Sequence, residues 1–162
     1  MSNPILLVED NPDDQLLTLR AFRKSNMANE VLVANDGEEA IDYFFRRGKF
    51  SDRPVEEIPE LVLLDLKLPK VDGLEVLQKV RNNTRLNKMP IVILTSSDHE
   101  TDIDHCYDLG ANSYLRKPVD FTDFVTAVQA VGKYWLIMNV TGSNTVLNAV
   151  KQTNSITESV EP

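Results

Sequence analysis

Five short apolar runs, each too short to be a helix and each separated from the next by a longer stretch, constrain this chain more than any other feature of its sequence. They fall at residues 5–8, 31–34, 61–64, 91–94 and 113–115. Runs of this length bounded by polar residues read as strands, and strands that alternate with helical stretches repeat a β-α unit. The runs are apolar without alternation, the pattern of a parallel sheet covered by helices on both faces. Helix signals fill the gaps. Asn11-Pro12-Asp13-Asp14 offers a cap, a first-turn proline and two carboxylates at the positive end of a helix dipole, so a helix is predicted to about Lys24. Asp36-Gly37-Glu38-Glu39 resembles a capping box, with Ala40, Ile41, Phe44 and Phe45 following on one face. Asp72-Gly73 opens a third helix with Leu74, Val76, Leu77 and Val80 as its apolar positions, and Gly110 ends a fourth that starts near Thr101. Phe121, Phe124, Val125, Val128, Val131 and Trp135 trace the core face of a fifth, which continues to about Met138.

Two segments break this rhythm. Residues 46–60, with Pro54, Pro59 and mixed charges, form a long connection before the third strand, and residues 141–162 are rich in Ser, Thr and Asn without aromatics. A chain of 162 residues that is 42% hydrophobic supports one compact domain, expected over 1–140, with 141–162 as a tail and no output domain. The formal charge of −8 works against binding to a phosphate backbone, because it offers no counterion release. Nucleic-acid binding is therefore not expected. Cys106 is the single cysteine, the N-terminus lacks a basic start followed by an apolar run, and no apolar stretch is long enough to span a bilayer. A cytoplasmic protein without a membrane partner is the expectation.

In an open parallel sheet, ligands bind outside the carboxyl ends of the strands, which makes the residues after each run the ones to inspect. The first run ends in Glu9-Asp10, the third in Asp65, the fourth in Thr95-Ser96, and the fifth leads into Lys117-Pro118. Carboxylates gathered at one place repel one another unless a cation neutralises them. Mg²⁺ suits such a set, since it prefers oxygen ligands and takes one or two carboxylates together with a phosphate oxygen. Asp10 and Asp65 are the expected direct ligands, with Glu9 acting directly or through water. A carboxylate can attack phosphorus to form an acyl phosphate if the charge on the transferring group is stabilised from several sides. The metal, the Lys117 ammonium and the Thr95 hydroxyl each supply one such contact, and Asp65, at the end of the central run, is the expected nucleophile.

Taken as an ordered set, Ile5-Leu6-Leu7-Val8-Glu9-Asp10, Leu61-Val62-Leu63-Leu64-Asp65-Leu66-Lys67-Leu68-Pro69, Asp72-Gly73, Ile91-Val92-Ile93-Leu94-Thr95 and Tyr114-Leu115-Arg116-Lys117-Pro118 resemble the response-regulator receiver (CheY-like) family over roughly residues 4 to 138. The resemblance implies a flavodoxin-like, doubly wound α/β fold: a five-stranded parallel sheet in the order 2-1-3-4-5 with helices on both faces. It implies a two-component phosphorelay in which Asp65 takes a phosphoryl group from a phosphohistidine on a partner sensor kinase. Carried over by position, Glu9 and Asp10 are the acidic pair, the backbone carbonyl of Lys67 is the remaining protein ligand of Mg²⁺, and Thr95 and Lys117 contact the phosphoryl group. Tyr114 is the switch aromatic that turns inward as Thr95 moves, and the Lys117–Pro118 peptide is cis. Such a protein is a phosphoacceptor that takes part in its own phosphorylation and autodephosphorylation rather than an enzyme acting on other substrates. The long 46–60 connection and Tyr134-Trp135 near the end of the last helix are more specifically similar to the small response regulators of cyanobacterial phytochromes. That narrower likeness implies a phytochrome-type histidine kinase and a homodimer formed through the C-terminal helix region.

Other readings of the same residues are weaker. A phosphatase working through an aspartyl phosphate places a second aspartate two residues after the nucleophile as general acid, and that position is Lys67. Gly-rich nucleotide loops are absent from the sequence. A receiver that had lost phosphorylation would be expected to lack the acceptor or the lysine, and both are present. Thr95, Ser96, Ser97 and Asp98 are all competent to cap the following helix. His99 and His105 have no partner at metal-ligand spacing, and Cys106 reads as a packed thiol.

Overall fold

The structure, a computed structural model, describes residues 3 to 140. Its elements follow in the order β1 (Ile5–Val8), α1 (Pro12–Lys24), β2 (Val31–Ala34), α2 (Gly37–Phe44), β3 (Leu61–Leu64), α3 (Gly73–Arg81), β4 (Ile91–Thr95), α4 (Glu100–Asp108), β5 (Ser113–Arg116) and α5 (Phe121–Lys133). All strand pairs are parallel, and the order across the sheet is β2-β1-β3-β4-β5. The expected tail at 141–162 lies outside the described residues.

The helices start where the sequence places caps. Asn11 accepts from the amides of Asp13 and Asp14, Asp36 from Glu39, and Asp72 from Glu75. The last helix begins at Asp120, which accepts from Thr122 and Asp123. Helix α4 differs, because none of the polar residues after β4 caps it. His99 occupies the N-cap position without a side-chain bond, while the Ser97 hydroxyl donates to Asp102 at 2.6 Å.

The sheet divides the core by strand periodicity. Leu6, Val8, Val62, Leu64, Ile91 and Ile93 face a cluster closed by α2 and α3, including Ile41, Phe44, Val76, Leu77 and Val80. Their neighbours Ile5, Leu7, Leu61, Leu63, Val92 and Leu94 face a second cluster with Ala21 and Phe22 of α1 and Phe124 and Val128 of α5. Every residue of β1, β3 and β4 is buried, whereas the edge strands β2 and β5 are mostly half-buried. Phe121 departs from its expected core position and is 70% exposed, because α5 has only begun there and its inward face starts at Phe124. The helix does reach Met138, but Tyr134–Met138 forms a wider π-helical end, with the Asn139 amide donating to the Tyr134 carbonyl at 2.7 Å.

The 46–60 connection holds a short 3₁₀ turn at Gly48–Phe50, and Phe50 and Ile58 pack on the first cluster. The Arg53 guanidinium lies 4.9 Å from the Tyr43 ring centre and pairs with Glu57 at 2.7 Å. No helix among the described residues is long and apolar enough to cross a membrane.

Candidate functional site

Strand register assembles the polar residues. Val8 pairs with Leu64, so Glu9-Asp10 and Asp65 leave the sheet side by side, and the Asp65 amide donates to the Val8 carbonyl at 3.0 Å. On the other side of β3, Thr95 is the last residue of β4, and the Lys117 amide donates to its carbonyl at 2.7 Å. Ligand oxygens of Glu9, Asp10 and Asp65 all lie within 4.8 Å of one another. Glu9 and Asp65 are buried while Asp10 is exposed, so the cluster has a sheltered floor and an open mouth. Among the described residues this is the group of carboxylate, histidine and cysteine side chains placed to share a metal ion, and its all-oxygen donor set fits a hard divalent cation.

The Lys117 ammonium binds the whole arrangement together. It donates to Glu9 Oε2 at 2.8 Å, Asp14 Oδ2 at 2.8 Å and Asp65 Oδ2 at 3.0 Å, with its own side chain only 9% exposed. Burial opposes its charge, yet the bonds to Asp14 and Glu9 and the fields of Asp65 and Glu9 carry its pKa above the ordinary lysine value. Burial pushes the Glu9 carboxyl up to about 7 despite the hydrogen bond from Lys117, and the negative Asp65 adds to the rise. The remaining Asp65 oxygen, Oδ1, accepts from the Lys67 amide at 3.3 Å. Thr95 Oγ1 is buried beside this cluster's strand ends without a hydrogen-bond partner.

The structure thus brings together Glu9, Asp10, Asp65 and Lys117 at one sheet edge, with Thr95 at the end of the neighbouring strand and Lys67 exposed in the β3–α3 loop. Tyr114 is half-buried against the first core cluster, and its hydroxyl donates to the Ser97 carbonyl at 2.7 Å. His99 and His105 are exposed, and Cys106 is fully buried. The Lys117–Pro118 peptide corrects an expectation. No described peptide bond is cis, so this one takes the trans form, the lower-energy isomer even before proline. Sequence reasoning missed Asp14. Its position in the first turn of α1 has a sufficient local explanation in the helix dipole, and only the tertiary approach of Lys117 reveals its second partner.

The sequence matches the family model described as the response regulator receiver domain over residues 5–129. It is 39% identical over 135 residues to the probable methanogenesis regulatory protein FilR2 of Methanothrix harundinacea, covering 83% of this chain and 84% of that protein. Among solved structures, the phosphorylated cyanobacterial phytochrome response regulator RcpA superposes with a TM-score of 0.82 at 36% identity, covering 88% of this chain and 100% of that one. The bacteriophytochrome response regulator AtBRR is 51% identical, with a TM-score of 0.68 and 86% and 99% of the two chains covered. Matched over most of its length by the family model, and folded around an acidic cluster, a strand-end threonine and a lysine at the same sheet edge, the chain belongs to the response regulator receiver domain family.

Proposed function

We propose that this receiver accepts a phosphoryl group on Asp65 from the phosphohistidine of a phytochrome-type sensor kinase, and that the acyl phosphate reshapes the surface formed by α4, β5 and α5. The observation that carries this reading is the placement of Asp65 within the acidic cluster and 3.0 Å from the Lys117 ammonium. An Asp65 oxygen attacks phosphorus, and the bond from phosphorus to the donor nitrogen breaks with its electron pair on the imidazole, which takes up a proton. Lys117 offsets charge on one phosphoryl oxygen, and the unpartnered Thr95 hydroxyl donates to another. Glu9, Asp10, Asp65 and the Lys67 carbonyl are the residues to hold Mg²⁺, which when bound supplies a further positive charge to the transferring group. Hydrolysis by water returns Asp65 to its free state, so phosphorylation and autodephosphorylation belong to the same site.

The kinase class rests on likeness to RcpA, a cyanobacterial phytochrome response regulator, and AtBRR, a bacteriophytochrome response regulator. Exposed Tyr134, Ile137 and Met138 near the end of the last helix support a homodimer built through that region. The charge of −8 supports signalling by protein contact rather than nucleic-acid binding in a cytoplasmic setting.

The deciding experiment is incubation with acetyl phosphate, with and without Mg²⁺, followed by intact mass measurement beside Asp65→Asn. One Mg²⁺-dependent phosphoryl group on the wild type and none on the variant is the expected result. An unlabelled wild type, under conditions that label a control receiver, overturns the reading.

A further inference from the structure

We infer that Asp14 is a positioning residue that competes with the arriving phosphoryl group for the Lys117 ammonium. The inference rests on Asp65 being the acceptor, and it begins from a count of donors. A lysine ammonium has three N–H groups and no acceptor. Here each of them has a carboxylate partner, on Glu9, Asp14 and Asp65. With the Lys117 side chain 9% exposed, water has little room to take part. A phosphoryl oxygen therefore gains Lys117 only when one of the three carboxylates releases it.

The three are not equivalent. Glu9 and Asp65 belong to the cluster of oxygens within 4.8 Å, and Asp65 is the residue whose oxygen enters the new phosphorus–oxygen bond. Asp14 belongs to neither category. It is not the cap of α1, since Asn11 already accepts from the amides of Asp13 and Asp14. Its carboxylate has Lys117 as its ion-pair partner. The cap fixes the first turn of α1, and that turn holds Asp14 against the lysine throughout the reaction. A cavity of about 500 Å³, lined by Asn11, Asp13 and Asp14 among others, opens the same side to solvent.

Two consequences follow from a carboxylate fixed at this point. It draws the lysine charge away from the acceptor oxygen, and it sets a negative charge beside the route of an anionic donor. Both effects slow phosphorylation, and the second grows with the charge of the donor. With acetyl phosphate, the Asp65 oxygen bonds to phosphorus and acetate departs with the electron pair, so no proton is required and donor charge is the variable that remains.

The test uses the full chain with Mg²⁺ and compares wild type, Asp14→Asn, Asp14→Glu and Asp65→Asn. The donors are acetyl phosphate, a dianion at neutral pH, and phosphoramidate, which carries less negative charge. Asp14→Asn keeps the shape and removes the charge. Its apparent KM for acetyl phosphate is expected to fall about threefold to tenfold, the scale of one charge-assisted contact at a partly exposed site, and by less for phosphoramidate. Asp14→Glu retains wild-type behaviour, and melting temperatures stay together. In the metal-free protein, the ¹⁵N-ammonium resonance of Lys117 shifts in Asp14→Asn and stays in place in Asp14→Glu. A labelled wild type with an unchanged Asp14→Asn overturns this inference alone, whereas an equal fall for both donors supports the competition for Lys117 without the effect of donor charge. A wild type that takes no phosphoryl group from either donor overturns the acceptor reading and this inference with it.

Discussion

Thr95 shows what a receiver site asks of a single residue. Its hydroxyl is fully buried with no partner, and an unsatisfied polar group of this kind costs about 1–3 kcal/mol. On the proposed function, a phosphoryl oxygen placed at the strand end relieves that cost, which gives the phosphorylated protein a reason to close on its own modification. Cys106 is the opposite case. It is fully buried, and burial pushes its thiol up to about 11 from an ordinary 9. In the interval between those values the folded chain holds a proton that the unfolded chain has lost, so the contribution of this thiol to stability is complete below 9 and disappears as pH rises through 11. A thiol reagent at pH 8 is accordingly expected to label Cys106 only after denaturant is added, and prompt labelling of the native protein contradicts the burial assignment. Residues such as Glu9, Asp65 and Lys117 were legible in the sequence because each follows a run whose strand character is plain. Asp14 and Phe121 were not, since periodicity and dipole arguments treat one helix at a time and know nothing of the neighbour that a side chain meets or fails to meet.

At the scale of elements, the β3–α3 loop is set by one close approach. A Cβ on Gly73 would lie 2.2 Å from the Asp65 carbonyl oxygen and 2.7 Å from the Leu66 Cα, both backbone atoms that have no flexible way to yield. The Gly73 amide also donates to the Leu66 carbonyl at 2.8 Å. Helix α3 therefore acts as a stop against which the Asp65 backbone rests. Gly73→Ala is expected to cost about 2–3 kcal/mol in urea unfolding and to slow Asp65 labelling in the fraction that remains folded. Normal labelling of the folded variant refutes the stop. The 46–60 connection carries a related lesson. Its length and prolines marked it as a loop, but not its attachment. Arg46 donates to the Arg53 carbonyl at 2.7 Å and Arg85 donates to the carbonyls of Phe44 and Val55, contacts that depend on long side chains reaching across the fold. Sequence patterns carry the strands and caps because those follow from local geometry; cross-links of this kind have no period to read.

On the scale of the whole molecule, the two core clusters share one sheet, and the site sits at its carboxyl edge where both end. Thr95 closes β4 opposite Arg116, Tyr114 pairs with Ile93 two residues earlier in the ladder, and the Tyr114 hydroxyl is tied to the loop carbonyl of Ser97. On the proposed function, movement of Thr95 toward a phosphoryl group pulls on the loop of Ser97 and so on the α4–β5–α5 face, biasing an equilibrium between two forms rather than creating a new one. Thr95→Ala should therefore still accept phosphate while its molar mass in light scattering, measured across a concentration series with Mg²⁺ and acetyl phosphate, no longer responds to it. A mass that changes on phosphorylation in this variant as it does in the wild type refutes the coupling.

The lysine that ties the acidic residues together also makes the site an assembly of distant parts of the chain. Lys117 is 108 residues from Glu9, 103 from Asp14 and 52 from Asp65. Each of these ion pairs joins parts of the chain that only the finished sheet brings together, so the pairs form with the fold and not ahead of it. A chain ending after β4 would hold every acid of the site and lack its base.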